Sequence, residues 1–395
     1  MLNCGTFRYP PLGGFMRRKP WLLVLVFFGA LVLVSCTGAK SDSVSEIVIG
    51  EYGSLTGTTA TFGISTKNGI DMAVDDVNKA GGLLGKQVRV IVEDDQGKPE
   101  EAQTVVTKLI TKNQVIAVLG EVASSRTMAA APVAQQNGIP LISPSSTNPR
   151  VTQIGDYIFR VCFIDPFQGL VMAKFATNTL KIKNVAILRD IKNDYSVGLA
   201  EVFVDNFKKM GGKIVANESY SEGDTDFSAQ LTSIKSTNPQ AVFMPGYYTE
   251  VGLVVRQAHK LGLNVPFLGG DGWDSPKLVE IGGEAVNGSY YSNHFSVDDP
   301  NPKIQKFVSD YKARYSATPD ALAGLGYDAA SVLFDAIKRS NSTDGAKIRD
   351  AIASTKDFDG ITGKITIDKD RNAVKPAVVL QVKDGKLHYV ETITP

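Results

Sequence analysis

From residue 46 to residue 270, short apolar runs and longer amphipathic runs follow one another in strict turn. That alternation narrows the fold more than any other feature of the chain. "EIVIGEY" at 46–52 has the composition of a strand, as do "QVRVIVE", "VIAVLG", "IPLIS", "NVAILRD", "GGKIVANES", "QAVFMPG" and "VPFLGG". Between them, apolar residues recur at helical spacing. Ile70, Ala73, Val74 and Val77 mark a helix over 67–79, which Gly81 and Gly82 end. Pro99 opens a helix to residue 112, Ser124 and Ser125 start another, and further helices are expected at 195–210, 226–236 and 249–261. This succession predicts a parallel sheet with helices on both faces.

The order of elements also repeats. "NKAGGLLGKQVRV" and "KKMGGKIV" each close a helix with a glycine pair and enter a strand. "ITKNQVIAVLGEVAS" and "IKSTNPQAVFMPGYYTE" each run from a helix end through a strand to a glycine and a loop. The expected fold class is therefore α/β, with two doubly wound parallel-sheet lobes of one topology. Ligands of such sheets bind beyond the carboxyl ends of the strands. Those ends are "GSLTG…TFG", "GEVASSRT", "SPSSTNP", "DIKNDYSVG", "GYYTE" and "GGDGWDSP", rich in hydroxyls, glycine and aromatics.

Several segments, taken in order, resemble a known family: "YGSLTGTTATFG", "NKAGGLLGK…VEDDQGKPEEA", "SPSSTNPRVT", "FRVCFIDPFQG", "NDYSVGLA", "DFSAQL" and "GGDGW". They resemble the periplasmic branched-chain amino-acid-binding proteins of ABC transporters, the leucine/isoleucine/valine-binding type, over essentially 46–395. The resemblance implies the type I periplasmic binding protein fold, with lobes joined by a three-stranded hinge crossing near Ile164, Asn293 and Asn372. Lobe 1 would comprise 46–164 and 294–372, and lobe 2 would comprise 165–293 and 373–395. The implied ligand contacts are Ser124 for a carboxylate, Ser145 and Thr147 beside it, Asp271 for an ammonium, Tyr195 and Tyr247 from the second lobe, and Phe62 closing the first loop. Some relatives carry a disulfide at the position of Ala123, which this chain lacks. The implied partners are a small-molecule amino acid and the permease subunits of an ABC importer, with the protein itself a monomer. No cofactor is implied.

The chemistry of those residues suits a zwitterion on its own terms. Ser124, Ser125 and their N–H groups at a helix N-terminus favour an anion. Thr147 adds a hydroxyl. Asp271 offers a carboxylate to a cation. Phe62, Tyr247 and Trp273 are candidates for an apolar wall. Plainer roles stand beside these: Ser124 as a helix cap, Asp271 as a turn residue between glycines, Tyr195 as core, and Trp273 as packing. The same fold binding an amide, urea or aromatic acid, or serving as a ligand-sensing receptor, is the alternative reading. A ligand without an ammonium would leave Asp271 without a partner.

The N-terminus sets the compartment. Arg17, Arg18 and Lys19 precede an apolar run at 21–34, shorter than the roughly 20 residues that span a bilayer. Leu33, Val34, Ser35 and Cys36 resemble a bacterial lipobox, with a signal peptide over 1–35, a lipidated Cys36, and a small polar tether over 36–45. Met16 is the expected true start. The expected location is outside the cytoplasm, lipid-anchored to a membrane and facing the periplasm or cell exterior.

Removing Arg8, Arg17, Arg18 and Lys19 with the signal leaves 38 of the 42 basic residues against 41 acids, which argues against a nucleic-acid partner. Beyond the signal and Cys36 the single cysteine is Cys162, so no intrachain disulfide is available. Its setting, "IFRVCFI", reads as a packed strand. G-x-S-x-G, H-E-x-x-H, Walker, G-x-G-x-x-G and C-x-x-C motifs are absent, and His259, His294 and His388 lack metal-ligand spacing. Neither an enzyme nor a metal site is expected.

Overall fold

The computed structural model describes residues 46–395. The signal peptide over 1–35, the start at Met16, the lipobox with Cys36 and the tether over 36–45 lie outside the described residues.

Two sheets organise the chain. The first has five strands in the order Val88–Asp94, Ile47–Gly53, Val118–Leu119, Leu141–Ser143, Ile158–Arg160, all parallel. The second runs Lys386–Ile393, Ala377–Lys383, Tyr290–Asn293, Phe267–Gly269, Ala241–Phe243, Asn184–Asp190, Lys213–Tyr220. Its last five members are parallel, whereas Ala377–Lys383 and Lys386–Ile393 pair antiparallel at one edge. That hairpin departs from the all-parallel expectation. Its turn is Asp384–Gly385, both at positive φ (51° and 68°), the conformation a two-residue hairpin loop requires. A small antiparallel sheet, Phe358–Gly360, Gly363–Ile367 and Ala373–Val374, was not anticipated either.

The chain passes from the first sheet to the second after Ile158–Arg160, back after Tyr290–Asn293, and across again before Ala377–Lys383. The crossings touch one another: the Lys375 ammonium, itself buried, donates to the Val161 carbonyl at 3.5 Å and to the Thr362 hydroxyl.

Helix Ala60–Lys79 starts seven residues earlier than its apolar spacing predicts. The first turns read "ATFGIST", whose glycine and threonines have weak helix propensity, so tertiary packing decides there. The early start matters, because it places Phe62 in the first turn, over the strand ends. The same helix lies against helix Ala321–Ser340 so closely that a Cβ on Gly69 would stand 1.9 Å from the Ala323 carbonyl oxygen.

Candidate ligand-binding site

The carboxyl ends of the two sheets face each other, and the loops beyond them meet. On the first side, strand Val118–Leu119 leads into helix Ser124–Gln136, so Ser124 opens that helix with its N–H among the unpaired first-turn donors. The Ser124 hydroxyl accepts the Asn148 N–H at 3.1 Å, which ties it to the loop carrying Ser145 and Thr147. On the second side, Asn193 caps helix Asp194–Lys209 by accepting from the Tyr195 and Ser196 N–H groups (3.0 and 3.4 Å), which sets Tyr195 in the first turn. Tyr247 immediately precedes helix Tyr248–Lys260.

Asp271 begins a short 3-10 turn, Asp271–Trp273, after strand Phe267–Gly269. Its N–H donates to the Gln168 side chain at 2.8 Å, and the next N–H, of Gly272, donates to the Tyr195 hydroxyl at 3.1 Å. The preceding Gly270 is required by this crowding, since a Cβ there would lie 2.5 Å from the Tyr195 hydroxyl.

Val122, Ser124, Ser145, Tyr195, Tyr247, Asp271 and Gly272 enclose a cavity of about 10 Å³. That is room for about one water. Tyr195 and Tyr247 stack at 5.5 Å with planes 9° apart. Phe62 meets Tyr247 edge-on at 5.3 Å from behind, so it backs the wall instead of forming it. Thr147 also stands behind the lining, and its hydroxyl has no partner. Trp273, a candidate wall residue from the sequence, is turned away. Its ring is fully buried in the second sheet's core and its indole N–H donates to the Met244 carbonyl at 3.0 Å. A buried indole N–H needs an acceptor, and this one lies within the fold.

Two buried polar atoms of residues lining the cavity lack partners: Asp271 Oδ1 and the Tyr247 hydroxyl. Buried polar groups are normally satisfied, so a pair of unsatisfied ones facing a cleft marks where a polar ligand completes the bonding. The other Asp271 oxygen, Oδ2, meets the Ser145 hydroxyl at 3.3 Å and His294 Nε2 at 3.1 Å.

Sequence reasoning did not anticipate His294, Asp165 or Arg126. Burial lowers the His294 pKa below its ordinary value, with the hydrogen bond and charge of Asp271 opposing. Burial, together with the Asp271 charge, raises Asp165 to about 7. Burial likewise pushes Cys162 up to about 12, consistent with a packed thiol. Arg126 is 2% exposed and donates to Ser54 Oγ (2.7 Å), Thr59 Oγ1 (2.8 Å) and Glu121 (3.5 Å), then reaches Glu222 on the second side at 3.3 Å. Its partners are scattered over 168 residues of sequence, from Ser54 to Glu222, so no local motif announces them.

Among the described residues, no cluster of His, Cys, Asp and Glu is arranged to hold a metal ion, and no helix is long and apolar enough to cross a membrane.

The sequence matches the periplasmic binding protein family over residues 46–386. The "Leu/Ile/Val-binding protein homolog 3" of Brucella melitensis is 30% identical over 370 residues, covering 93% of this chain and 100% of that protein. The crystal structure of a leucine binding protein, LivK, from Thermotoga maritima is similar, with 42% identity, a TM-score of 0.85, and coverage of 88% of this chain and 99% of that one. So is the branched-chain amino acid transporter substrate binding protein LivJ from Streptococcus pneumoniae, solved in complex with isoleucine. It shows 36% identity and a TM-score of 0.85, over 89% of this chain and 100% of that one.

Proposed function

The chain belongs to the periplasmic binding protein family, and from that premise we propose that it is the solute-binding component of an ABC importer, capturing a branched-chain or other apolar amino acid between two lobes. Asp271 carries this reading. It is 5% exposed, with one carboxylate oxygen unpartnered beside the cavity, and Ser124 stands at a helix N-terminus on the facing side. An ammonium satisfies the first and a carboxylate the second. The stacked tyrosines supply the wall for an apolar side chain. Ser124, Ser145, Tyr195, Tyr247 and Asp271 touch the ligand, while Thr147 and Phe62 complete the site from the second row. An amide, urea or aromatic acid offers Asp271 no cation, which disfavours those ligands.

The lobes we assign comprise 46–164 with 294–372, and 165–293 with 373–395. Sheet membership and the three crossings support that division. The cavity of about 10 Å³ is smaller than any amino acid, so a ligand enters by separation of the lobes. Closure on the ligand then makes the form that the membrane permease recognises. The ligand leaves unchanged, with no bond broken. The protein acts as a monomer, held to the membrane by a lipid on Cys36, as the run Leu33-Val34-Ser35-Cys36 after a basic and apolar segment supports. Cys36→Ser should leave the protein unprocessed or free of the membrane; unchanged mass and detergent partition would contradict the anchor.

A thermal-shift screen of the purified protein against all amino acids tests the function. A true ligand at 100 times its Kd adds about 2.7 kcal/mol of stability. Stabilisation by Leu, Ile or Val is expected; stabilisation by benzoate or urea alone would overturn the reading.

A further inference from the structure

An aspartate can turn either oxygen towards a ligand, and something in this fold makes the choice. Asp271 Oδ2 is occupied by His294 Nε2 at 3.1 Å and by the Ser145 hydroxyl at 3.3 Å, while Oδ1 has no partner. Ser145 comes from the first side of the cleft, whereas His294 is the first residue past strand Tyr290–Asn293, at the crossing between the lobes, and the two bonds therefore behave differently. His294 follows strand Tyr290–Asn293, and Asp271 follows strand Phe267–Gly269. These strands are hydrogen-bonded neighbours, with Tyr290 opposite Leu268 and Tyr291 opposite Gly269. Asp271 and His294 thus leave the same end of two adjacent strands, and because His294 sits at the pivot of the crossing, separation of the lobes does not pull them apart. The Ser145 bond forms only on closure.

The imidazole is itself fixed. It is fully buried and stacks on Phe163 with ring centroids 3.8 Å apart and planes 22° apart. We propose that His294 is a positioning residue for ligand recognition: its Nε2–H holds Asp271 Oδ2 in the open and closed forms alike, so that Oδ1 is presented to the ammonium. This rests on the amino-acid reading of the site.

The protonation state follows from the same contacts. His294 Nδ1 is buried without a partner. A neutral ring with its proton on Nε2 leaves only an acceptor lone pair there. A doubly protonated ring would bury an unsatisfied N–H and would neutralise the carboxylate that the ammonium requires. A neutral donor orients Asp271 and leaves its full charge to the ligand, which is the preorganisation a charge-recognition site needs.

Three proteins titrated calorimetrically with leucine test the proposal: wild type, His294→Gln and His294→Phe, with melting temperatures measured in parallel. Gln places an amide nitrogen near the position of Nε2, and Phe keeps the stack on Phe163 while removing the donor. His294→Phe should weaken leucine binding about 10- to 100-fold, the range of a hydrogen bond to a charged group. His294→Gln should stay within about threefold of wild type. Equal losses in both variants, or wild-type affinity in His294→Phe, would overturn the positioning role.

A second measurement needs neither ligand nor variant affinity. A long-range proton–nitrogen spectrum of the free wild-type protein, with the His294 signals assigned by their loss in His294→Phe, should show a neutral ring protonated on Nε2 at pH 7. A ring protonated on Nδ1, or on both nitrogens, overturns the proposal. Absence of leucine binding by wild type, with the Nε2–H tautomer in place, would sink the amino-acid reading instead.

Discussion

Ser125 and Asp194 staple two helix N-termini together across the cleft. The Ser125 hydroxyl donates to Asp194 Oδ2 at 3.1 Å and accepts the Asp194 N–H at the same distance. Asn148 adds a bond to the Asp194 carbonyl at 2.9 Å. These bonds join the first side to the second, so they exist only when the lobes are together and bias the population towards closure. Ser125→Ala removes two of them. Each is worth about 0.5–1.5 kcal/mol net, so ligand affinity should fall roughly 5- to 150-fold with the melting temperature of the free protein little changed. Calorimetry decides it, and unchanged affinity would remove this contact from the account of closure.

Asp271→Asn keeps the shape of the side chain and removes its charge. Truncating one side of a buried charged pair costs about 2–5 kcal/mol, so amino-acid affinity should fall about 30-fold or more. The melting temperature should hold or rise, because an unpaired buried charge has gone. A wild-type Kd with a lowered melting temperature would instead make Asp271 a turn residue held for its backbone.

Asp165 gives the fold a pH dependence with a definite sign. It is fully buried, and its folded pKa of about 7 lies above the roughly 3.9 of an unfolded aspartate. The native state therefore binds the proton more tightly than the unfolded state. Stability from this group is present below about pH 4 and is lost as pH rises through about 7. Asp165→Asn should be more stable than wild type at pH 8, by about 1–4 kcal/mol, and nearly equal to it at pH 4. Urea unfolding at both pH values tests this; equal stabilities at pH 8 would contradict it.

Gly69→Ala should cripple the first lobe. The added Cβ would overlap the Ala323 carbonyl at 1.9 Å, and backbone on both helices must move to relieve it. Overpacking of this kind costs about 1–3 kcal/mol or more, which a thermal melt reads as a drop of several degrees. An unchanged melting temperature would mean that the two helices slide freely over each other.

The parallel sheets were legible because each strand is a short apolar run and the helices between them have their own apolar stripes. The hairpin at Asp384–Gly385 was not, since strand direction depends on the partner and only the turn residues announce it. The start of helix Ala60–Lys79 was hidden because "ATFGIST" has no helical preference of its own and folds that way against Ser54 and the neighbouring helix. Ser124, Ser145, Tyr195, Tyr247 and Asp271, which the family resemblance implied as ligand contacts, lie at strand ends and line one cavity. Trp273 was ambiguous for a physical reason: an indole serves equally as wall or core, and only the Met244 carbonyl decides. His294 lay beyond reach, because its partner is 23 residues away and the strand register that aligns them is a tertiary fact.

The central claim is that a free amino acid is held by its ammonium on Asp271. Calorimetric titration of the purified protein with leucine and with 4-methylpentanoate, the same carbon skeleton without the ammonium, tests it most directly. Leucine should bind with a Kd of about 1 µM or tighter, near −8.2 kcal/mol, and 4-methylpentanoate at least about 30-fold more weakly. Equal affinities for the two, or silence for Leu, Ile and Val alike, would contradict the account.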